Sequence, residues 1–563
     1  MADVDTPSQL RVPGASLPGR NLLLITTDQE RWFRQDPVPL PAHDWLRRHG
    51  TTFDRFYAAG MACSPARSVM YTGRHSTDTG VIDNLGVPGQ ADMSVQVPTL
   101  GTLLATRGYR CAYKGKWHLS GGALDTGAGG SMSDSLLEFG FSDYNEGGDD
   151  LGGAYEGHRR DRVIAAEAVD WLRTEGVAAN AADTPWCLAV NFINPHDIMW
   201  AATDASLLEQ RRSLRSGGFS GPPEVDTYSA RWDLPDDPTW HQAVDVPTRP
   251  SAHLDYAVAQ ELWTGPPAVG GDELTMFRDY YLNCLREVDE SIQSLIAGLR
   301  EADLLDETVI VFTSDHGELA GSHGLFGKGP CAYDGNIRVP LIVVDPEHRG
   351  GRRTDAIGSQ VDLVPTALGL LGVAPEPGLV GLDLSEVLGS PAGPGPRHAA
   401  LFVYESLSFV DGDWARRTFV GFGADDLVTG RDLHKRGFMR TIITEHHKFS
   451  RYFAPDDHHR PASMEELSAR NDLELFDLEP DPDEMANVAL DDRGRPGELC
   501  GELNRLLSSL IETEIGEDDG AWMPELAGAP WRVLKARTIG MALPANSQLA
   551  PCRSRDPCRM VGS

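Results

Sequence analysis

Asn21-Leu22-Leu23-Leu24-Ile25-Thr26-Thr27-Asp28-Gln29 is an apolar run that turns polar only at its end. It lacks the alternation of a half-solvated strand but has the length of one, so it predicts a strand buried on both faces. Similar short runs recur at 109–113, 186–193, 308–313 and 339–344. Helical patterns lie between them. Residues 98–107 open with Pro at the first turn, and 161–174 follow. A long amphipathic stretch then sets Leu274, Phe277, Tyr281, Leu285, Val288, Ile292, Leu295 and Leu299 on one face. This alternation implies an α/β fold with a mostly parallel central sheet and helices on both faces.

In such sheets ligands bind beyond the carboxyl ends of the strands. Four of the runs end in groups able to do chemistry: Asp28-Gln29, Lys116 to His118, Asn194 to Asp197, and Asp315-His316. Hard oxygen ligands from two strand ends suit calcium or magnesium, and an imidazole admits manganese.

The chain organises outward from this core. Residues 1–20 read as a flexible leader, 21–395 as the main domain, 396–515 as a smaller α+β subdomain with an antiparallel sheet, and 516–563 as a tail. Residues 200–265 are rich in Pro, Asp, Trp and Ser with little periodicity, the pattern of a recognition insert or lid. Trp200, Trp232, Trp240 and Trp263 fall within it.

With 50 basic and 83 acidic residues, the formal charge is −33. Such a surface repels phosphate backbones and anionic lipid, which argues against nucleic acid and membrane partners. No secretory signal is visible, and no apolar run approaches the ~20 residues needed to span a bilayer. The expectation is a cytoplasmic protein. The cysteines form no CxxC pair, so neither a structural zinc site nor a redox motif is indicated. An anionic small-molecule substrate would need a locally positive pocket.

Cys63-Ser64-Pro65-Ala66-Arg67 continues through Tyr71-Thr72-Gly73-Arg74. This C-x-P-x-R followed by T-G-R resembles the signature of the formylglycine-dependent sulfatases, members of the alkaline-phosphatase-like superfamily. Gly115-Lys116-Trp117-His118-Leu119, Asn194-Pro195-His196-Asp197 and Gly327-Lys328-Gly329-Pro330 resemble further strings of that family. So does the late run Glu474-Leu475-Phe476-Asp477-Leu478 with Asp481-Pro482-Asp483-Glu484 and Asn487, whose expected role is structural.

The resemblance implies a sulfuric ester hydrolase in which Cys63 is oxidised to 3-oxoalanine (formylglycine) by a formylglycine-generating enzyme. It implies one divalent cation, calcium first and manganese or magnesium as alternatives, held by Asp28, Gln29, Cys63, Asp315 and His316. Arg67 would hold the formylglycine. Lys116 and Lys328 would grip sulfate, and His118 would orient or deprotonate the aldehyde hydrate. His196 would contact the substrate and protonate the departing alcohol, and Asn84 is a further substrate contact. The metal pairs Asp28-Gln29 and Asp315-His316 also resemble those of phosphonate monoester hydrolases, which keeps a phosphonate or phosphate ester as the alternative substrate class.

Overall fold

The opening run forms strand β1 (Asn21–Asp28), and all eight of its residues are buried. Six more strands join it: β2 (Thr51–Tyr57), β3 (Arg110–Gly115), β4 (Trp186–Pro195), β5 (Thr308–Ser314), β6 (Leu341–Val344) and β7 (Arg352–Ser359). Their order across the sheet is β3-β4-β1-β5-β6-β2-β7. The block β3-β4-β1-β5 is wholly parallel, β2 runs parallel to β7, and only β6 is antiparallel to its two neighbours. The sheet is therefore mostly parallel, as the alternating pattern predicts.

The computed structural model describes residues 20–87, 90–123, 132–145, 147–202, 209, 221–264, 270–419, 431–491 and 493–520. Nearly all of the expected leader, the tail beyond residue 520, residues 203–208 and 210–220 of the insert, and the side chain of Trp263 lie outside the described residues.

Side chains of β1 alternate between two cores. Leu22 and Leu24 pack on one face with Tyr71, Tyr113 and Trp117, and Leu23 and Ile25 on the other with Val288, Ile292 and Leu295. Each fully buried Leu or Ile contributes roughly 1.5–3 kcal/mol by leaving water, which fixes the height of β1 in the sheet. On the second face lie three helices: α1 (Pro41–His49), α3 (Glu156–Trp171) and α5 (Gly271–Glu301); helix α2 (Cys63–Thr72) follows the first of these in the chain. All eight apolar residues read as one face of the long amphipathic stretch are buried in α5.

A second sheet of four antiparallel strands, β8 (Ala400–Tyr404), β9 (Phe438–Ile443), β10 (His447–Phe453) and β11 (Asp472–Asp477), carries the C-terminal region in the order β11-β10-β9-β8. One face is covered by Leu503, Leu507 and Ile511 of a helix spanning Glu498–Glu514. The other face packs Phe402, Tyr404, Met439 and Tyr452 against Tyr57, Met61 and Ala62, the residues that lead into Cys63. In the late motif, Asn487 accepts from the amide of Leu475 (3.0 Å) and donates to Leu473 O (2.9 Å), which closes the edge of β11.

The described part of the 200–265 segment holds more regular structure than its composition suggests. Helix α4 (Ser251–Thr264) follows Pro250, and its inward face is Ala252, His253, Tyr256, Ala259 and Gln260. Small and polar residues on a buried face leave no apolar period to read. Trp232 donates to Asn283 (3.1 Å) and Trp240 lies under the Arg278 guanidinium (5.0 Å), so both pack on α5. Among the described residues, no helix is long and apolar enough to cross a membrane.

Helix α1 is pinned to α5 through Asp289, which accepts from the amides of Ala42 and His43 and from His43 Nδ1 (2.6 Å); Glu30 faces Nε2 at 3.0 Å. Burial disfavours a charged imidazole, but Glu30 and Asp289 outweigh it and raise the His43 pKa from 6.5 to about 10. A raised folded-state value means the contribution is complete below 6.5 and is lost as pH rises toward about 10. Thermal unfolding should show Tm falling across that interval in the native chain and falling less in His43→Gln. Equal declines would contradict this assignment.

Candidate active site

Because β3, β4, β1 and β5 are parallel neighbours, their carboxyl ends emerge at one edge. Thr27 pairs with Ser314 and Asp28 with Pro195, so Asp28, Asp315 and His196 are level. Lys116 follows directly from β3, and its amide donates to Asn191 O of β4 (3.0 Å). The turn here requires Gly115: φ is +93°, and a Cβ would come within 1.9 Å of Asn191 O.

Helix α2 begins at Cys63, whose thiol is buried at this edge. Arg67 stands one turn later, on the same side. Its Nη2 reaches Asp28 Oδ2 and its Nε reaches Asp315 Oδ2, each at 3.1 Å, and Nη1 donates to Lys116 O at 2.7 Å. The guanidinium thus ties the helix to three strand ends. Asn84 accepts from the amide of Ser64 (3.0 Å), satisfying an orphan donor in the first turn of α2. Ser64 Oγ donates to His118 O (2.7 Å) and accepts from Leu85 N (3.0 Å).

Around the sulfur, His316 Nε2 lies at 3.2 Å, Lys328 Nζ at 3.0 Å and Asp28 Oδ1 at 3.7 Å. His118 and His196 also approach it. Lys116 Nζ is 2.7 Å from Asp28 Oδ2. Lys328 donates to Gln29 Oε1 (2.6 Å), and Gln29 Nε2 donates to Glu318. Every one of these side chains is at least nine-tenths buried. All the candidate residues read from the sequence therefore meet at one centre except Asn84, which is partly exposed and engaged by its cap.

The electrostatics follow from burial opposed by charge. Burial raises the Cys63 pKa, but Lys116, Lys328 and His316 together hold it well below the usual thiol value. Asp28 is pushed up by burial and by Cys63, yet Lys116, His196 and Lys328 hold it far below the carboxylate range. Asp315 is raised, by burial first and then by Asp28. Burial lowers the His316 value and Asp315 raises it, with a net rise. Lys116 is raised because Asp28 and Cys63 outweigh its burial. His196 is lowered to about 4 by burial, Lys328 and Lys116.

Asp28, Cys63, Asp315 and His316 offer one ligand atom each, all within 4.8 Å of one another. His316 Nδ1 lies 3.0 Å from Gly317 O, the contact that leaves Nε2 as the lone-pair nitrogen of a metal ligand. Arg67 and Lys116 occupy the outer oxygen of Asp28 while its Oδ1 faces the cluster. This donor set, two carboxylates and one imidazole, fits a divalent cation.

A family model described as Sulfatase matches residues 20–373, well over half of the chain. The chain belongs to the sulfatase family. As such it is a sulfuric ester hydrolase, a class that works with a metal ion. An arylsulfatase of Volvox carteri is 25% identical to this sulfatase over 507 residues, covering 83% of this chain and 71% of the relative. A solved 2-O GAG sulfatase matches with a TM-score of 0.59 at 20% identity, covering 88% and 92% of the two chains. The phosphonate monoester hydrolase of Agrobacterium radiobacter matches with 0.60 at 22%, covering 88% and 96%. At such identities the two structures establish the fold of this sulfatase alone.

Several supporting residues escaped the sequence reading. Asp149 accepts from the amides of Trp117 (2.8 Å) and His118 (2.7 Å), fixing the left-handed turn at His118 (φ 58°). Glu318 accepts from Gln29 and from the amides of Ala320 and Gly327. Gln360 donates to Ser314 O and Asp315 O and accepts from Ala59 N. None sits in a motif, and each acts through backbone groups that no residue pattern announces.

Gly152 (φ +89°) lies flat against His196, and a Cβ there would come within 2.6 Å of ring atoms Cε1 and Nδ1. Gly152→Ala should displace the imidazole and lower kcat by about tenfold to hundredfold with only a modest fall in Tm. Steady-state kinetics and thermal unfolding check this; unchanged kcat would contradict the packing argument.

Proposed function

We propose that this sulfatase hydrolyses a small anionic sulfate ester to an alcohol and inorganic sulfate, using formylglycine formed from Cys63. The observation that carries this reading is the pair of buried ammonium groups, Lys116 and Lys328, beside Asp28 and Cys63 in a chain of net charge −33. Two cations held in a dry cleft attract an oxyanion far more strongly than the same groups in water.

Maturation by a formylglycine-generating enzyme would supply an aldehyde hydrate, with one hydroxyl to attack sulfur and a second whose deprotonation releases sulfate. A divalent cation on Asp28, Asp315, His316, Gln29 and the residue at 63, calcium before manganese or magnesium, would supply charge neutralisation and activate the nucleophile. Gln29 Oε1 would turn from Lys328 to join it, and Lys328 would then be free to bind the ester.

The chain's own groups do the remaining work. Lys116 and Lys328 bind sulfate oxygens. Arg67 keeps the two aspartates and residue 63 in register. His118 takes a proton at its ring nitrogen, held in place by the Asp149 contacts to its backbone. His196 delivers a proton to the departing oxygen. In the free protein burial, then Lys328 and Lys116, lower its pKa to about 4 and leave it neutral; an anionic ester between the two lysines would offset only their part of that depression. Substrate binding itself therefore raises the imidazole's proton affinity. Asn84 caps α2 through Oδ1, and its amide nitrogen supplies the further substrate contact read from the sequence.

A second reading, phosphonate or phosphate ester hydrolysis, is favoured by the fold match to a phosphonate monoester hydrolase and by the Asp28-Gln29 and Asp315-His316 pairs. Comparing kcat/KM for p-nitrophenyl sulfate and p-nitrophenyl phenylphosphonate separates them. The sulfate should dominate, and phosphonate dominance would overturn the assignment. His196→Ala should lower kcat/KM by roughly 10²–10⁴-fold for an alkyl sulfate and much less for p-nitrophenyl sulfate, whose leaving group needs no proton. An equal loss for both would remove His196 from the acid role.

A further inference from the structure

A cleft with a cavity volume of about 50 Å³ lies between the short helix His196–Trp200, helix α4 and the loop that carries Lys328. Its walls are chiefly apolar: Ile198, Met199, Ala257, Phe277 and Phe326. Ile198 stands two residues after His196, and Gly327 directly precedes Lys328. The cleft is thus bounded by the neighbours of the two groups nearest a leaving oxygen. Glu318 forms part of the wall and also accepts from Gln29 at the catalytic centre.

The packing makes this cleft a formed feature. Tyr256 of α4 donates to Phe326 O at 2.6 Å. The turn is so close that a Cβ at Gly327 would come within 3.0 Å of Tyr256 Oη, and one at Gly329 within 2.6 Å of its ring. Helix α4 therefore sets both the cleft wall and the position of the Lys328 loop. Its charge is one-sided: Glu261 is exposed at the mouth, Glu318 lies within, and among the described residues no arginine or lysine lines it. A second sulfate or carboxylate on the substrate would meet like charge from Glu261 and Glu318, with only the neutral donors of Gln260 and Thr264 to replace its water.

We propose that this cleft receives the apolar alcohol or phenol part of a monosulfate ester that carries no second anionic group. The assignment rests on the sulfate-ester reading above and names its substrate class. An uncharged ring buried against these side chains gains affinity from apolar area alone, while the sulfate is held by the two lysines.

Calorimetric titration of Cys63→Ala protein tests this without turnover. 4-Methylumbelliferyl sulfate should bind about tenfold or more tighter than inorganic sulfate, and about tenfold tighter than 4-carboxyphenyl sulfate, which carries a second anion. Adding Ala257→Phe, which fills the cleft from α4, should weaken the methylumbelliferyl ester at least about fivefold and leave inorganic sulfate within about twofold. Unchanged sulfate binding reports an intact centre; if Ala257→Phe does not fold, Met199→Trp narrows the cleft from another element. The proposal is overturned if neither filling variant weakens the aryl ester, or if 4-carboxyphenyl sulfate binds as tightly as the uncharged ring. The reaction can fail separately: a wild-type preference for aryl phosphonates with the same response to Ala257→Phe would retain the cleft assignment and discard only the sulfate chemistry.

Discussion

Arg67 is the constraint on which the centre depends. Two aspartates at adjacent strand ends, both fully buried, would repel each other and force one to protonate. The guanidinium bridges their outer oxygens at 3.1 Å each and turns the repulsion into a three-body contact. Because Arg67 rides on the helix that begins with Cys63, the bridge also fixes that residue against the sheet. Removing one member of such a buried cluster costs about 3–5 kcal/mol, chiefly because the partners are left uncompensated. The same residue thus serves stability and geometry at once, and its Nη1 donor to Lys116 O extends the hold to β3.

The second sheet works through the same point. Its inner face packs on Met61 and Ala62, and Val403 N donates to Ala59 O (3.1 Å), so the turn into α2 is clamped from the C-terminal side. Asp83 extends the clamp: it accepts from Ser406, from Ser408 and from the amide of Asn84, whose side chain caps α2. A chain of strong net negative charge therefore builds a local positive centre by convergence of elements from both sheets. Distant acidic surface weakens long-range attraction of an anion, while two buried ammonium groups dominate at contact.

Much of this was legible because apolar runs and motif residues carry their own physics. β1, β4 and β5 are buried on both faces, so their sequences are continuous and easily read. The ends of these strands then locate Asp28, His196 and Asp315 without further information. β2 and β7 escaped because Asp54-Arg55 and Arg352-Arg353 place charges within edge-side strands whose side chains reach solvent. Helix α4 escaped because its buried face is built from Ala, His, Tyr and Gln. At the centre, the motif side chains were legible and the side chains that bind backbone groups were not, which is why Asp149, Glu318 and Gln360 appear only in three dimensions. Trp232 and Trp240 went the other way: tryptophans in a loop-like segment invited a recognition role, and both are spent on packing against α5.

The central claim is that residue 63 acts as an aldehyde hydrate and not as a thiol. Peptide mass spectrometry on protein from its native host, or from cells supplying a formylglycine-generating enzyme, tests it most directly. The account predicts that the peptide containing Cys63 carries an aldehyde in place of the CH2SH group and reacts with a carbonyl-specific hydrazide. A fully active protein whose Cys63 peptide retains an unmodified thiol would contradict it.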